Sequence, residues 1–382
     1  MVKQNISLFL GAGASAAAGM PSTDDITKRI MSGKGVIYDQ GFNQDRGRFY
    51  IRKHKNPDSC VNNIIRFLRI IKREITVFFN KSNISYEDLY YVVRQIKDFT
   101  SEYENPIVVF FVEKIKPLVK KELNFAKKGF SWTIAKLASY SVAYIADVVT
   151  DLLSHKPANL DYLSFIKELI EDANVGSINI FTLNHDTVLE HYFSKNKLPY
   201  VDGFADESGI RHWQPGSLIG DSGRLRLLKL HGSVNWYRYK QGNKEFYGSR
   251  DLDNQEKMTN IEQIGVRPLI LTGRINKILE YHRSIYVDVH YSFYRLLPSV
   301  DSLIIAGYSF GDQGINSWII NWMNETAKHK ILLLGPDTVN CIKYARKGIR
   351  DNWYLWEKQK KAYNISIPVE SFSWQDYSQL LF

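Results

Sequence analysis

The stretch Ile6-Ser7-Leu8-Phe9-Leu10-Gly11-Ala12-Gly13-Ala14-Ser15-Ala16 constrains the fold of this chain more than any other. A short, mostly apolar run stops at two glycines and a row of small residues. Ile6 to Leu10 reads as a buried strand. Gly11 and Gly13 permit a tight turn and the close approach of another backbone or a ligand. Ala16 to Gly19 then opens a helix, with Ser15 as its N-cap. The unpaired N–H groups of a helix start suit a phosphate. The pattern G-x-G-x-x-A occurs both as a plain strand–helix turn and as a pyrophosphate-binding turn. Only the rest of the chain separates the two.

The chain has 382 residues, enough for two or three domains and a sizeable core. Hydrophobic residues at 44% and charged residues at 24% place it among soluble globular proteins. The formal charge of +10 favours a polyanion or an acidic partner, and equally fits a solvated lysine-rich surface. Cys60 and Cys341 are the only cysteines and lie far apart, which excludes a four-cysteine zinc ribbon and argues against a disulfide scaffold. The apolar run near the N-terminus is too short for a signal peptide, so the expected location is cytoplasmic.

Along the chain, Pro21 interrupts the first helix. Ser22 or Thr23 caps a second that runs through Ile26, Ile30 and Met31 to Gly33 and Gly35. Val36 to Asp39 reads as a short strand ending in an acid. A dinucleotide dehydrogenase carries such an acid about 20 residues past the glycines, and Asp39 stands further on. From about residue 43 to 172 helical periodicity dominates. Ile64, Ile65, Leu68, Ile71 and Ile75 recur at helical steps. Ser85 and Asp88 form a capping-box pattern, and Pro106 and Pro117 punctuate a third region. Ser131 to Leu153 is the most apolar stretch. Lys136, Asp147 and Asp151 argue against a membrane span there and leave a buried helix or a partner interface. The α/β pattern resumes at Asn174. Strands are expected at Ser177–Thr182, Arg224–Leu230, Pro268–Leu271, Asp301–Ala306, Lys330–Leu334 and near Ile365–Phe372. Helices are expected at Thr187–Phe193, Tyr281–Leu297 and Gln313–Met323. Residues 241–264 read as a polar mobile loop. The fold class is α/β: a Rossmann-like parallel sheet flanked by helices, with a large inserted α-helical domain and no zinc module. Residues 1–35 and 173–382 make the discontinuous Rossmann-like domain, and 36–172 the insertion.

Each polar motif follows the C-terminal end of an expected strand, the edge where open parallel sheets bind ligands. Gly11–Ser15, Asn184–Asp186, His231–Gly232 and Gly307–Asp312 therefore converge on one crevice. Singly, each has a plain reading. Asn184 and Asp186 satisfy a turn, His231 is a hydrogen-bonded strand end, and Gly307 and Gly311 make ordinary turns. Their joint placement is what points to a site.

In order, Gly11-Ala12-Gly13-Ala14-Ser15, Thr182-Leu183-Asn184-His185-Asp186, His231-Gly232 and Gly307-Tyr308-Ser309 resemble the motifs with which sirtuins bind and cleave NAD. The resemblance covers about residues 1–30 and 175–340. Gly19-Met20-Pro21 also matches, but the Phe-Arg pair that sirtuin deacylases carry next is replaced by Ser22-Thr23-Asp24, and their four zinc cysteines are missing. The helical insertion and Gly307-Tyr308-Ser309-Phe310-Gly311-Asp312 instead resemble sirtuin-like effectors of bacterial antiphage systems, in particular the subunit that assembles with a HerA-type hexameric ATPase. The resemblance implies an NAD glycohydrolase with NAD as substrate and no metal. Gly11, Ala12, Gly13 and Ser15 would hold the pyrophosphate, with Thr182, Gly307, Tyr308 and Ser309 completing the binding residues; Ser309 would contact the adenosine ribose. Asn184 would hold the nicotinamide ribose or a water, His231 would act as general base, and Asp186 would stabilise positive charge or orient its neighbours. Implied partners are further copies of the chain in a homo-oligomer, the HerA-type ATPase and DNA along the basic surface, with no membrane. The competing readings are a sirtuin-type protein deacylase, a non-catalytic nucleotide- or DNA-binding subunit and, more distantly, a dehydrogenase using Asp39.

Overall fold

The structure is a computed structural model. It describes all residues except 1–2, 42–46, 53–54, 81–82, 100–105, 124–132, 208–209, 221–222, 251–260, 274–279 and 382. The chain forms two compact units. One comprises Met1–Met20, Ser154–Leu271 and Ile278–Phe382; the other comprises Pro21–Leu153 and Thr272–Lys277.

The first unit is built on a parallel sheet of six strands: β1 (Gln4–Leu10), β2 (Val175–Thr182), β3 (Leu225–Lys229), β4 (Ser302–Ala306), β5 (Lys330–Leu334) and β6 (Ala362–Ile365). Their order across the sheet is β6-β5-β4-β1-β2-β3, with every neighbouring pair parallel. Read from the other edge this is 3-2-1-4-5-6, the doubly wound dinucleotide-binding order. The chain turns back between β1 and β4, and there the connections leave in opposite directions and open a crevice.

The strands are near-continuous apolar runs because both faces are covered. Ile6, Leu8, Leu10, Ile178, Ile180, Ile304 and Leu332 enter one core, with Phe165, Leu169, Val188, Phe193 and Trp374 from the covering elements. Phe9, Phe181, Leu228, Leu303, Ile305 and Leu333 enter the opposite core, with Val289, Phe293, Ile319, Trp322 and Trp353. Four of the six sequence-expected strand regions hold a sheet strand, and Pro268–Leu271 holds an isolated bridge of Ile270 to Gly232. The last strand lies earlier than expected, at Ala362–Ile365, and the expected region Ile365–Phe372 instead contains a 3-10 turn at Val369–Ser371. The expected helices are found as Val188–Asn196, Ile285–Leu296 and Gln313–Glu325.

Two local expectations are corrected. Ser15 caps no helix. Gly11 precedes a 3-10 helix spanning Ala12–Ala18, Ser15 is buried inside it, and Gly19 at φ 81° ends it. The first α-helix starts instead at Thr23, where Ser22 and Asp25 form a reciprocal capping box. Nor is 241–264 a loop throughout. Trp236–Gln241 and Lys244–Ser249 form a hairpin turning at Gly242 (φ 59°), and Glu262–Gln263 pairs with the first of these strands. With Phe204–Glu207 and Ile210–Trp213 they make a five-stranded antiparallel sheet. Residues 251–260 of that stretch lie outside the described residues.

The second unit holds the α-helices Thr23–Ser32, Ser59–Phe79, Tyr86–Phe99, Pro106–Leu123 and Ile134–Leu153. Ile64, Ile65, Leu68, Ile71 and Ile75 are buried along one stripe, as their spacing requires. Ser85 and Asp88 form the expected capping box. Pro117 lies inside its helix and does not end it. Val36–Asp39 pairs antiparallel with Arg48–Ile51 in a separate hairpin, so Asp39 is not on the parallel sheet. Asp147 is fully buried in the apolar Ile134–Leu153 helix, where its carboxylate accepts from Phe49 N at 3.0 Å and faces Arg48. Among the described residues no helix is long and apolar enough to cross a membrane.

The turn after β4 tolerates no side chain at Gly307. Its φ is 66°, and a Cβ there would stand 2.0 Å from Ala14 N. The Gly307→Ala variant is expected to lose at least about 2 kcal/mol, from the left-handed backbone plus the clash. Gly335→Ala, where nothing lies within 4 Å of the added carbon, is the neutral control. Urea unfolding midpoints compare the two; equal midpoints would contradict the packing described here.

Candidate active site at the sheet switch point

At the C-terminal ends of β1 and β4 two turns lie backbone on backbone. Gly11 N donates to Ala306 O at 2.9 Å, and Gly13 N to Gly307 O at 3.0 Å. A Cβ on Gly11 would meet Gly307 O at 2.5 Å, and one on Gly13 would meet Gly307 Cα at 2.9 Å. The glycines are thus required by the contact between the turns. The outer side of that contact is open: Ala12, Gly13, Gly307 and Ser309 are exposed and form the floor of the crevice. Tyr308 is placed differently. Its ring is buried against Phe9 and Phe310, and its hydroxyl donates to Asn316 Oδ1 at 2.7 Å. Burial first, and then Asp312, push this phenol well above its usual range.

The turn after β2 is tied to the same place. Thr182 Oγ1 donates to Leu10 O at 3.0 Å and accepts from Asn184 N at 3.1 Å. Asn184 Nδ2 donates to Gly11 O and to Ser15 Oγ, both at 2.9 Å. Gly11 O can only accept, which fixes the amide's orientation. Asn184 Oδ1 is left buried without a hydrogen-bond partner. Asp186 is buried, and its Oδ1 accepts from Val188 N at 3.1 Å at the start of the Val188–Asn196 helix. A narrow cleft opens among Ala14, Ser15, Thr182, Asn184, Asp186 and Lys229, with Tyr162 and Leu163 beside them. Tyr162 hydroxyl donates to Ala14 O at 2.8 Å; burial, then Asp186, raise its pKa.

His231 follows β3 and is buried. Gly232 beside it has φ 79°, and a Cβ would collide with Leu269 O at 2.0 Å. His231 Nε2 lies 3.2 Å from Asp312 Oδ2 and 3.3 Å from Tyr281 hydroxyl, which itself donates to Asp312 Oδ2 at 2.9 Å. His290 stacks on Tyr281 with ring centres 3.7 Å apart, and its Nε2 bonds Leu230 O at 2.9 Å. Burial, then the neighbouring His231, push the His290 imidazole down to about 3.

Lys229 laces the two polar turns together. Its ammonium is buried, with three donors and three acceptors: Asp186 O, Glu190 Oε1 at 2.7 Å and Ser233 Oγ at 2.7 Å. Val234 N reaches back to His185 O at 2.9 Å, and the His185 and His231 rings are 6.2 Å apart. The structure therefore brings Gly11, Ala12, Gly13, Ser15, Thr182, Asn184 and Gly307 to one spot, with Asp186 and His231 on the adjoining laced turns. Lys229, Tyr281 and His290 carry no role in the sequence analysis, and Asp312 enters it only as the end of the Gly307–Asp312 motif. A lysine inside the apolar run Leu227-Leu228-Lys229-Leu230 and an acid directly before a helix were the available signals. Among the described residues no group of three or more His, Cys, Asp or Glu side chains is placed to hold a metal ion.

Residues 178–366, about half of the chain, match the family model described as the SIR2-like domain. The match spans β2 to β6 with Asn184, Asp186, His231 and Gly307, and begins after the Gly11–Ser15 turn. No curated protein matches the chain in sequence. Solved structures similar to it include Sir2 in complex with an inhibitor, 2'-O-acetyl-ADP-ribose and a deacetylated p53 peptide, at 12% identity and TM-score 0.38, covering 99% of this chain and 94% of that one. A mutant of a Sir2 homologue in complex with ADP-ribose matches at 12% and 0.38, covering 99% and 91%. Sir2 with a p53 peptide and NAD+ matches at 10% and 0.36, covering 99% and 93%.

Two predictions follow from this geometry. Lys229→Met leaves Glu190, Asp186 O and Ser233 without their shared cation, and is expected to cost about 3–5 kcal/mol of stability; a loss below about 1 kcal/mol in denaturant unfolding would show the lacing to be dispensable. His290 is held at about 3 against 6.5 for the ordinary imidazole. As pH falls below 6.5 the unfolded chain therefore takes up this proton first, and stability is lost on acidification until about pH 3. In His290→Gln the slope of stability against pH near pH 5 should shrink by up to about one proton. An unchanged slope would place His290 in contact with water.

Proposed function

We propose that the chain binds NAD in the crevice above the β1–β4 switch point and hydrolyses its nicotinamide–ribose bond, giving nicotinamide and ADP-ribose. One observation carries this reading. Asn184 Oδ1 is a buried acceptor without a partner, while its own amide nitrogen is pinned to Gly11 O and Ser15 Oγ. Buried polar atoms in folded proteins are almost always paired, so an acceptor held open at this edge asks for a hydroxyl from a ligand. A ribose supplies one, and so does a water on its way to the ribose carbon.

The exposed floor of Ala12, Gly13, Gly307 and Ser309 gives the pyrophosphate and adenosine ribose a surface of backbone and small side chains. NAD leaves this surface with its nicotinamide ribose at Asn184. The bond between the ribose C1' and the nicotinamide nitrogen breaks, and its electron pair goes to the nitrogen, neutralising the ring. The sugar carbon becomes oxocarbenium-like. A water oxygen forms the new bond to C1', and its proton passes to His231, an imidazole suited to that step near neutral pH. Asp186, one turn away and buried, places negative charge beside the cleft.

The resemblance to antiphage effectors extends the reading to a setting. The chain acts as an NAD-depleting subunit assembled with further copies of itself and a HerA-type ATPase, with its basic surface available to DNA. The test is product analysis of the purified chain incubated with NAD, alone and with that ATPase. Free nicotinamide and ADP-ribose are expected. Asn184→Ala and His231→Ala should each slow their release roughly 100- to 10,000-fold, about 3–5 kcal/mol of transition-state stabilisation, in variants that circular dichroism shows to be folded at the assay temperature. Nicotinamide release that survives both variants would remove the site, and no release by the native chain in either condition would remove the activity. Product formation only with an acetyl-lysine peptide, as O-acetyl-ADP-ribose, would make the chain a deacylase instead.

A further inference from the structure

Asp312 does two jobs at once. It is the N-cap of the Gln313–Glu325 helix, and its Oδ1 accepts from Ile315 N at 3.2 Å. An N-cap needs only one side-chain oxygen, and on a surface helix the second faces water. Here the side chain is nearly buried, and Oδ2 accepts from Tyr281 hydroxyl at 2.9 Å and lies 3.2 Å from His231 Nε2. The backbone around it is fixed on both sides. Asp312 N donates to the Tyr308 hydroxyl at 3.2 Å. Two residues earlier Phe310 adopts φ 54°, a left-handed conformation that a bulky residue avoids. Its fully buried ring, packed near Tyr308 and Trp353, holds it there.

We propose that Asp312 and Tyr281 are positioning residues for His231: the carboxylate holds the Nε2 proton, and the phenol holds the carboxylate. The proposal rests on the reading of His231 as the base of NAD cleavage. A carboxylate only accepts, so the nitrogen facing it carries the proton and the basic lone pair lies on Nδ1. When Nδ1 takes a proton the ring becomes an imidazolium, and the adjacent carboxylate stabilises it without itself being protonated. Tyr281 adds a second donor to the same oxygen, fixing its direction. Among the described residues, the groups around His231 include Asp312 from the helix cap, Tyr281 with His290 stacked behind it, and His185 from the β2 turn. Lys229 lies two residues back with its charge engaged by Glu190. Arg346 sits on the far side of the loop, where its Nε donates to Gly311 O at 2.7 Å. Of these, Asp312 is the anion in hydrogen-bond reach of the imidazole.

Asp312→Asn separates the two jobs, because asparagine caps a helix about as well as aspartate while the charge beside His231 is lost. In Asp312→Asn, kcat/KM for NAD cleavage is expected to fall roughly 10- to 100-fold with the acid limb of its pH profile moving down by about one unit, and KM little changed. Tyr281→Phe keeps the ring stack and should move the limb in the same direction by less. In parallel, the His231 ring protons are titrated by NMR in the native chain and in Asp312→Asn, with His231→Gln giving the assignment. A lower midpoint in the variant supports the pairing whether or not NAD is turned over. An unchanged midpoint and an unmoved acid limb, in a variant that has only lost stability or rate, would reduce Asp312 to a helix cap and overturn the inference. If the native chain releases no nicotinamide while the midpoint still shifts, the activity reading fails and the Asp312–His231 pair stands.

Discussion

The crevice depends on one close contact, that of Gly11-Ala12-Gly13 with Gly307. In a doubly wound sheet the connections leave the central strands in opposite directions, and the gap between them would be filled by whatever side chains the two turns carry. Here neither turn carries any at the point of contact. A Cβ on Gly11, Gly13 or Gly307 would fall between 2.0 and 2.9 Å from the backbone opposite. The turns therefore close into a continuous floor and leave the space above it free. Asn184 then reaches Gly11 O and Ser15 Oγ only because the floor lies that close to β2. The glycines consequently act on a ligand indirectly, by letting two turns fuse into one surface.

The parallel sheet was legible because its strands are buried on both faces and read as apolar runs, each followed by small or polar residues. The strand-end motifs followed from that, since the carboxyl edge of such a sheet is where ligands bind. Ser15 was misread for a physical reason. After a strand and two glycines the pattern implies an α-helix at once, whereas Ala12–Ala18 closes only a 3-10 segment that Gly19 stops, and the capped α-helix begins at Ser22. The antiparallel sheet escaped because its strands are short and partly polar: Lys244–Ser249 has exposed charged residues on one end and buries only its last two positions. Gly242 at the hairpin turn reads the same way as a glycine in a loop.

The buried polar partners were not legible at all. The sequence shows that Lys229 lies in an apolar run and that Asp312 precedes a helix. It does not show that Lys229 will meet Glu190 and Ser233, or that the spare oxygen of a helix cap will face His231. Glu190 and Asp312 stand 39 and 81 residues from the groups they meet, at the starts of helices, and only the fold brings them to the turn after β3. Such pairs are also the features most exposed to failure, because a buried charge without its partner is strongly destabilising. Local pattern specifies the layers, and long-range polar pairing specifies the site.

That division bears on how the two halves of the crevice work together. The floor of Ala12, Gly13, Gly307 and Ser309 is open to solvent, whereas His231, Tyr281 and Asp312 are withdrawn from it. In the proposed reaction the charged pyrophosphate would lie on the open part, where its hydration is least disturbed, and proton transfer from a single water would take place in the withdrawn part, where a carboxylate–imidazole pair is least screened. Both parts hang on the same framework. Asn184 ties the β2 turn to the floor, and Lys229 and the His185 carbonyl tie that turn to the His231 turn.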